Sequence, residues 1–107
     1  MDMKTINKDE QNVWGALQPI HDPELAASIV DLGLIYAVRV EGKEAHITMT
    51  FTTPLCPFGQ SLVEQIRKAV RGLGMTVKVD ITFDPPWNLE KIKPELREQF
   101  LFPQDVL

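Results

Sequence analysis

Hydrophobic positions along the chain follow two rhythms, and the switches between them mark the elements. Val13, Leu17 and Ile20 recur at helical spacing with Trp14 beside them. They follow Asn7-Lys8-Asp9-Glu10, where Glu10 stands three residues after a capping asparagine. This predicts a helix from about Lys8 to about Gln18, stopped before Pro19. Asp22 can cap a second, short helix with Pro23 at its first position, where a missing N–H costs nothing. Asp31-Leu32-Gly33 then turns the chain into a strand with large apolar residues at Leu34, Tyr36, Val38 and Val40. After Glu41-Gly42-Lys43, Ala45, Ile47, Met49 and Phe51 alternate with His46, Thr48, Thr50 and Thr52. Two alternating runs joined by a glycine turn read as a β-hairpin with one wet face.

Thr53-Pro54-Leu55-Cys56-Pro57-Phe58-Gly59 is too proline-rich to continue the strand and reads as a loop. From Gln60, the residues Leu62, Ile66, Ala69, Val70 and Leu73 mark one face of a helix that ends at Gly72 to Gly74. Val77, Val79, Ile81 and Phe83 alternate as a third strand, which Asp84-Pro85-Pro86-Trp87 breaks. The tail from Leu89 to Phe100 holds a last helical turn starting at Pro94. The expected fold is α+β: a small two-layer domain with a mixed three- to four-stranded sheet and helices on one face, in the order α-β-β-α-β. Residues 1–107 are expected to form a single domain, with an irregular tail from about residue 84.

Composition narrows the function. The formal net charge is −4, with Lys and Arg scattered among acids, so no basic stripe exists to bind nucleic acid. The N-terminus lacks an apolar signal region, and the longest apolar runs fall far short of a bilayer span. One cysteine cannot form an internal disulfide, and a lone thiol without a signal peptide fits the reducing cytoplasm.

Cys56 is the sharpest chemical feature. A free cysteine is ordinarily a small buried hydrophobe. Here it sits between Pro54 and Pro57 in a strand-to-helix loop, and loops tend to carry function. Pro57 suits the first helical position, which makes Cys56 the expected N-cap. Amide groups of the next turn and the helix dipole would then favour the thiolate, lowering its pKa. Asp22 and Glu24 are ordinary helix-start residues by local sequence. His21 and His46 have no metal-ligand spacing to another His or Cys, and His46 falls on the wet face of its strand. Trp87 reads as a tail anchor. The chain has no phosphate-binding glycine loop followed by Lys and Ser or Thr, and no Cys-x-x-Cys pair.

Four segments in this order and spacing carry a family resemblance: Asp22-Pro23-Glu24, Ser28 to Tyr36, Met49 to Pro57, and Phe83 to Trp87. They resemble the metal–sulfur cluster biosynthesis family, once called domain of unknown function 59, in its stand-alone, SufT-like form. The resemblance implies a compact α/β domain that helps to mature iron–sulfur proteins, together with the assembly machinery and client apoproteins. It implies Cys56 as the key cluster-binding residue, with the Asp22-Pro23-Glu24 motif and Thr53 as accessory residues. Some relatives act in phenylacetate ring oxygenation with a cysteine-rich C-terminal segment, and no further cysteine follows Cys56 here.

A cluster usually takes four protein ligands, and this chain offers one thiolate. Either two chains share a cluster as a homodimer, or the cluster is held transiently with a partner or small thiol. An adaptor that never touches a cluster is equally consistent. The rival from another class is a cysteine-nucleophile enzyme, which needs a general base such as His21 or His46 near Cys56. A scaffold with a merely structural cysteine is the third reading.

Overall fold

The computed structural model describes residues 8–23, 25–52 and 58–96. The first helical rhythm becomes α1 (Lys8–Leu17), which buries Val13 and Leu17 completely, with Ile20 following into the same core. Glu10 Oε2 accepts the Val40 N–H at 3.2 Å, so the acid of the expected capping box ties α1 to the sheet. Asn7 lies outside the described residues.

The sheet is three-stranded and mixed, in the order β3 (Ile35–Glu41), β4 (Glu44–Met49), β5 (Thr76–Ile81). β3 and β4 form the expected antiparallel hairpin, turned by Gly42 at φ 62°. β5 lies parallel to β4, with α2 (Gly59–Arg71) as the crossover between them. Ala45, Ile47 and Met49 of β4 are buried against Leu62, Ile66 and Val70 of α2 and the α1 residues, in one core. The register sets Val38 and Val79 on either side of Ile47, so one sheet face is apolar throughout. The opposite face carries Arg39, Glu44, His46, Lys78 and Asp80, the wet face that alternation predicts. Met49 and Ile81 are the last residues of their strands, one step before the expected Phe51 and Phe83. No helix among the described residues is long and apolar enough to cross a membrane.

The second helix expected at Asp22 is absent. Residues there form a two-stranded hairpin, β1 (His21–Asp22) against β2 (Ala27–Ser28). Asp22 Oδ1 accepts the Leu25 N–H at 3.0 Å and the Asp22 carbonyl accepts the Ala26 N–H at 2.7 Å, which is one turn and no more. Ala26 then adopts φ 54°, a left-handed conformation that a right-handed helix cannot continue through. Reversing here returns Ala27 and Ile29 to the core beside Ile20.

The tail is more ordered than expected. Tyr36 donates its hydroxyl to the Pro85 carbonyl at 2.8 Å, and the Trp87 indole N–H donates to the Leu32 carbonyl at 2.7 Å. Asn88 caps a short 3₁₀ turn (Leu89–Lys91), accepting the Glu90 N–H, and Ile92 enters the core at 1% exposure. A helical turn begins at Pro94 as expected, described to Leu96. The docking depends on Gly33: its φ is 76°, and a Cβ there would collide with the Lys91 carbonyl. Gly33→Ala is therefore expected to cost about 2–4 kcal/mol, from left-handed strain plus the clash. Thermal melting should show a drop of roughly 10 °C or more. Gly15→Ala, where nothing lies within 4 Å of the new methyl, should leave the melting temperature level or raise it.

Candidate functional site at the end of strand β4

β4 delivers the chain to Thr50, which is fully buried, and then to Phe51 and Thr52. Residues 53–57, including Thr53 and Cys56, lie outside the described residues, and the chain is described again from Phe58. The expected cap is displaced. Phe58 is the N-cap of α2, its carbonyl accepting the Leu62 N–H at 3.0 Å, with no side-chain cap on the first turn. Cys56 precedes that cap by two residues, so the argument that placed its thiol at the N-cap does not hold. Packing outweighs the preference of proline for a helix start: Gly59 lies under the Phe51 ring, where a Cβ would come within 2.9 Å of ring carbons.

The described surroundings of the loop are aromatic and partly apolar. Phe51 and Phe83 meet with ring centroids 6.3 Å apart, tilted by 56°. Phe58, Ile81 and Phe83 are each about 40% exposed, an apolar collar at the carboxyl ends of the parallel pair β4 and β5. Tyr36 stands at the same end of the sheet. Burial pushes its phenol above the ordinary tyrosine value, against a hydrogen bond with Thr50 that pulls it down. Tyr36, Phe51 and Phe83 read in the sequence as continuations of strand stripes. For Phe51 and Phe83 the one available signal was position, each at the end of a stripe next to a turn, while Tyr36 falls within its stripe.

The residue before the Asp22 hairpin is linked to the end of β4 by backbone hydrogen bonds. The Thr50 N–H donates to the Leu34 carbonyl at 2.9 Å, Leu34 N–H to the Ile29 carbonyl at 3.0 Å, and Ile29 N–H to the Ile20 carbonyl at 2.9 Å. These bonds fasten the Asp22 hairpin to the residue that begins the exit from β4. Asp22 itself is 1% exposed. Its bond to Leu25 caps a single turn, in place of the helix cap that local sequence suggests. Glu24 lies outside the described residues.

The histidines are not gathered there. His46 sits on the open sheet face about 13 Å up-strand of Thr50, counted at strand rise. Its Nε2 lies 3.0 Å from Glu44 Oε1, an ion-pair distance without the angle of a hydrogen bond. His21 Nδ1 lies 2.7 Å from the Pro19 carbonyl, which can only accept, so that nitrogen carries the proton. Among the described residues, no three His, Cys, Asp or Glu side chains are grouped to hold a metal ion.

The β4-α2-β5 unit, the β3–β4 hairpin, α1 and the separate β1–β2 hairpin together define a small α+β domain. The chain belongs to the iron–sulfur cluster assembly protein family, whose sequence profile matches residues 10–85. It is 40% identical over 86 residues to the Fe-S protein maturation auxiliary factor YitW of Bacillus subtilis, covering 78% of this chain and 84% of that one. It is 35% identical over 69 residues to the Fe-S protein maturation auxiliary factor SufT of Staphylococcus aureus, covering 62% of this chain and 78% of that one. Its fold matches the crystal structure of a domain of unknown function DUF59 from Bacillus anthracis with a TM-score of 0.84, at 27% identity over 94% of this chain and 99% of that one.

The turn-capping bond of Asp22 can be tested by stability alone. Asp22→Ala should cost about 1–2 kcal/mol, since it strands the Leu25 N–H in a buried turn. Asp22→Asn keeps an acceptor oxygen and should melt close to the wild type. Equal melting of all three chains would show that the bond contributes nothing.

Proposed function

We propose that the protein helps to mature iron–sulfur proteins as a cluster carrier or adaptor, acting through Cys56. The family membership carries this reading, and the relatives' names as maturation auxiliary factors point the same way. Cys56 supplies the thiolate, and Asp22, Glu24 and Thr53 are its accessory residues. The hydrogen-bonded run from the Asp22 hairpin to Thr50 supports one shared site, because it holds one half of the motif at the start of the segment that carries the other.

In this reading the cluster is cargo. One thiolate per chain leaves a cluster short of its usual four ligands, so the rest come from a second chain, a client or a small thiol. Such under-ligated binding favours release to a client apoprotein. Permanent electron-transfer duty would require full ligation. The protein acts as a carrier or adaptor and not as an enzyme in this account, in line with the relatives' names as maturation auxiliary factors. Residues 1–107 act as one domain in the cytoplasm, where a lone thiol stays reduced.

The test separates folding from function. Cys56→Ser should change stability by no more than about 0.5 kcal/mol, as a surface substitution does. It should still fail to restore iron–sulfur enzyme activity in cells lacking the protein. Asp22→Asn should melt normally and also fail. Full restoration by Cys56→Ser would refute the role of the thiol, and a loss of several kcal/mol would show a core cysteine instead.

A further inference from the structure

Among the described residues β5 has one sheet neighbour, β4, so its other side is an open edge. The hydrogen bonds at its two ends fix which backbone groups face outward. Thr76 N–H donates to the Lys43 carbonyl and Thr82 N–H to the Met49 carbonyl, both at 2.9 Å and both toward β4. Backbone groups alternate along a strand, so Lys78 and Asp80 also face β4, while Val77, Val79 and Ile81 present N–H and C=O outward. An open edge of this kind templates pairing with another strand unless something blocks it.

The sequence of this edge matches itself in reverse. Residues 76–82 read Thr-Val-Lys-Val-Asp-Ile-Thr, a near-palindrome about Val79. We propose that two copies of the chain pair through the outer edge of β5, antiparallel about a two-fold axis at Val79, joining their sheets into one. In that register Thr76 faces Thr82 of the other copy, Val77 faces Ile81, and Lys78 faces Asp80. Val79 meets Val79 as a hydrogen-bonded pair, as do Val77 and Ile81, because these are the residues with outward backbone groups. Lys78 and Asp80 fall at the intervening positions, where opposed side chains come closest.

The alternatives are disfavoured by the same residues. An axis at Lys78 sets lysine against lysine, and an axis at Asp80 sets aspartate against aspartate. An axis between residues would set Lys78 against Val79 and place the wet face of one sheet beside the apolar face of the other. Lysine on an edge strand commonly prevents pairing. Here Asp80 lies two residues away on the same open face, and both are exposed, so the lysine selects this one register. Ile81, 40% exposed, and Val63 line an open groove between β5 and α2 that a second apolar face would cover. Pairing also gives one particle two Cys56 thiols, although the interface stands on β5 whatever the cysteine does.

Assembly is therefore measured by sedimentation equilibrium on the full chain with Cys56→Ser, free of cluster. A concentration-dependent dimer is expected. Lys78→Asp and Asp80→Lys should each raise the dissociation constant about tenfold, because each sets two like-charged pairs across the axis. Mixing the two single variants should restore association, since every cross-strand pair is then of opposite charge. The double variant Lys78→Asp/Asp80→Lys should likewise recover, and circular dichroism should show all of them folded. A monomer at every concentration, a dimer indifferent to the single changes, or mixed chains that stay apart would each overturn the proposal while leaving the role of Cys56 untouched.

Discussion

Thr50, Leu34, Ile29 and Ile20 are joined in series by backbone hydrogen bonds, and all four side chains are buried. This run fastens the N-terminal hairpin and the start of β3 to the carboxyl end of the central strand. A buried backbone amide without a partner would cost free energy comparable to a lost hydrogen bond, so the links reinforce the packing around them. Everything at that end of the sheet takes its position from this run: the Asp22 turn, the exit from β4, and the Tyr36 hydroxyl that holds the tail at Pro85. The tail then closes the structure by a separate route, through Trp87 to Leu32, Lys93 N–H to the Asp31 carbonyl, and Ile92 into the core.

That arrangement gives the segment following β4 a firm base. The parallel pair β4 and β5 with its crossover helix places the βα loop at the carboxyl ends of the strands, where open α/β sheets commonly bind ligands. The loop's described borders are set by tertiary contacts. Phe51 packs over Gly59, and Phe83 packs against Phe51. The partly exposed Phe58, Ile81 and Phe83 around them suit contact with another protein.

Much of this was legible in the sequence, and the failures have identifiable causes. The strict alternation through Ala45, Ile47 and Met49 marked the central strand, because one face of it is fully buried. An aspartate followed by proline caps a helix or a turn, so local sequence does not separate the hairpin at Asp22 from a helix. Ala26 in a left-handed conformation decides between them, and alanine gives no sign of it. The start of α2 falls two residues later than Pro57 suggests, because that preference is local whereas the contact of Phe51 with Gly59 is tertiary. The burial of Ile92 was hidden because it depends on Gly33, far away in sequence. The pairing of Cys56 with the Asp22-Pro23-Glu24 motif rested on family resemblance, and neither composition nor periodicity could have supplied it.

The central claim is that Asp22 and Cys56 serve one site. Alkylation of the thiol by iodoacetamide, followed against pH in the wild type and in Asp22→Asn, tests it most directly. A nearby carboxylate disfavours the thiolate, so removing its charge while keeping the turn should lower the alkylation midpoint, by about half a pH unit or more. A midpoint that is the same in both proteins would place the two residues in separate environments and contradict the shared site.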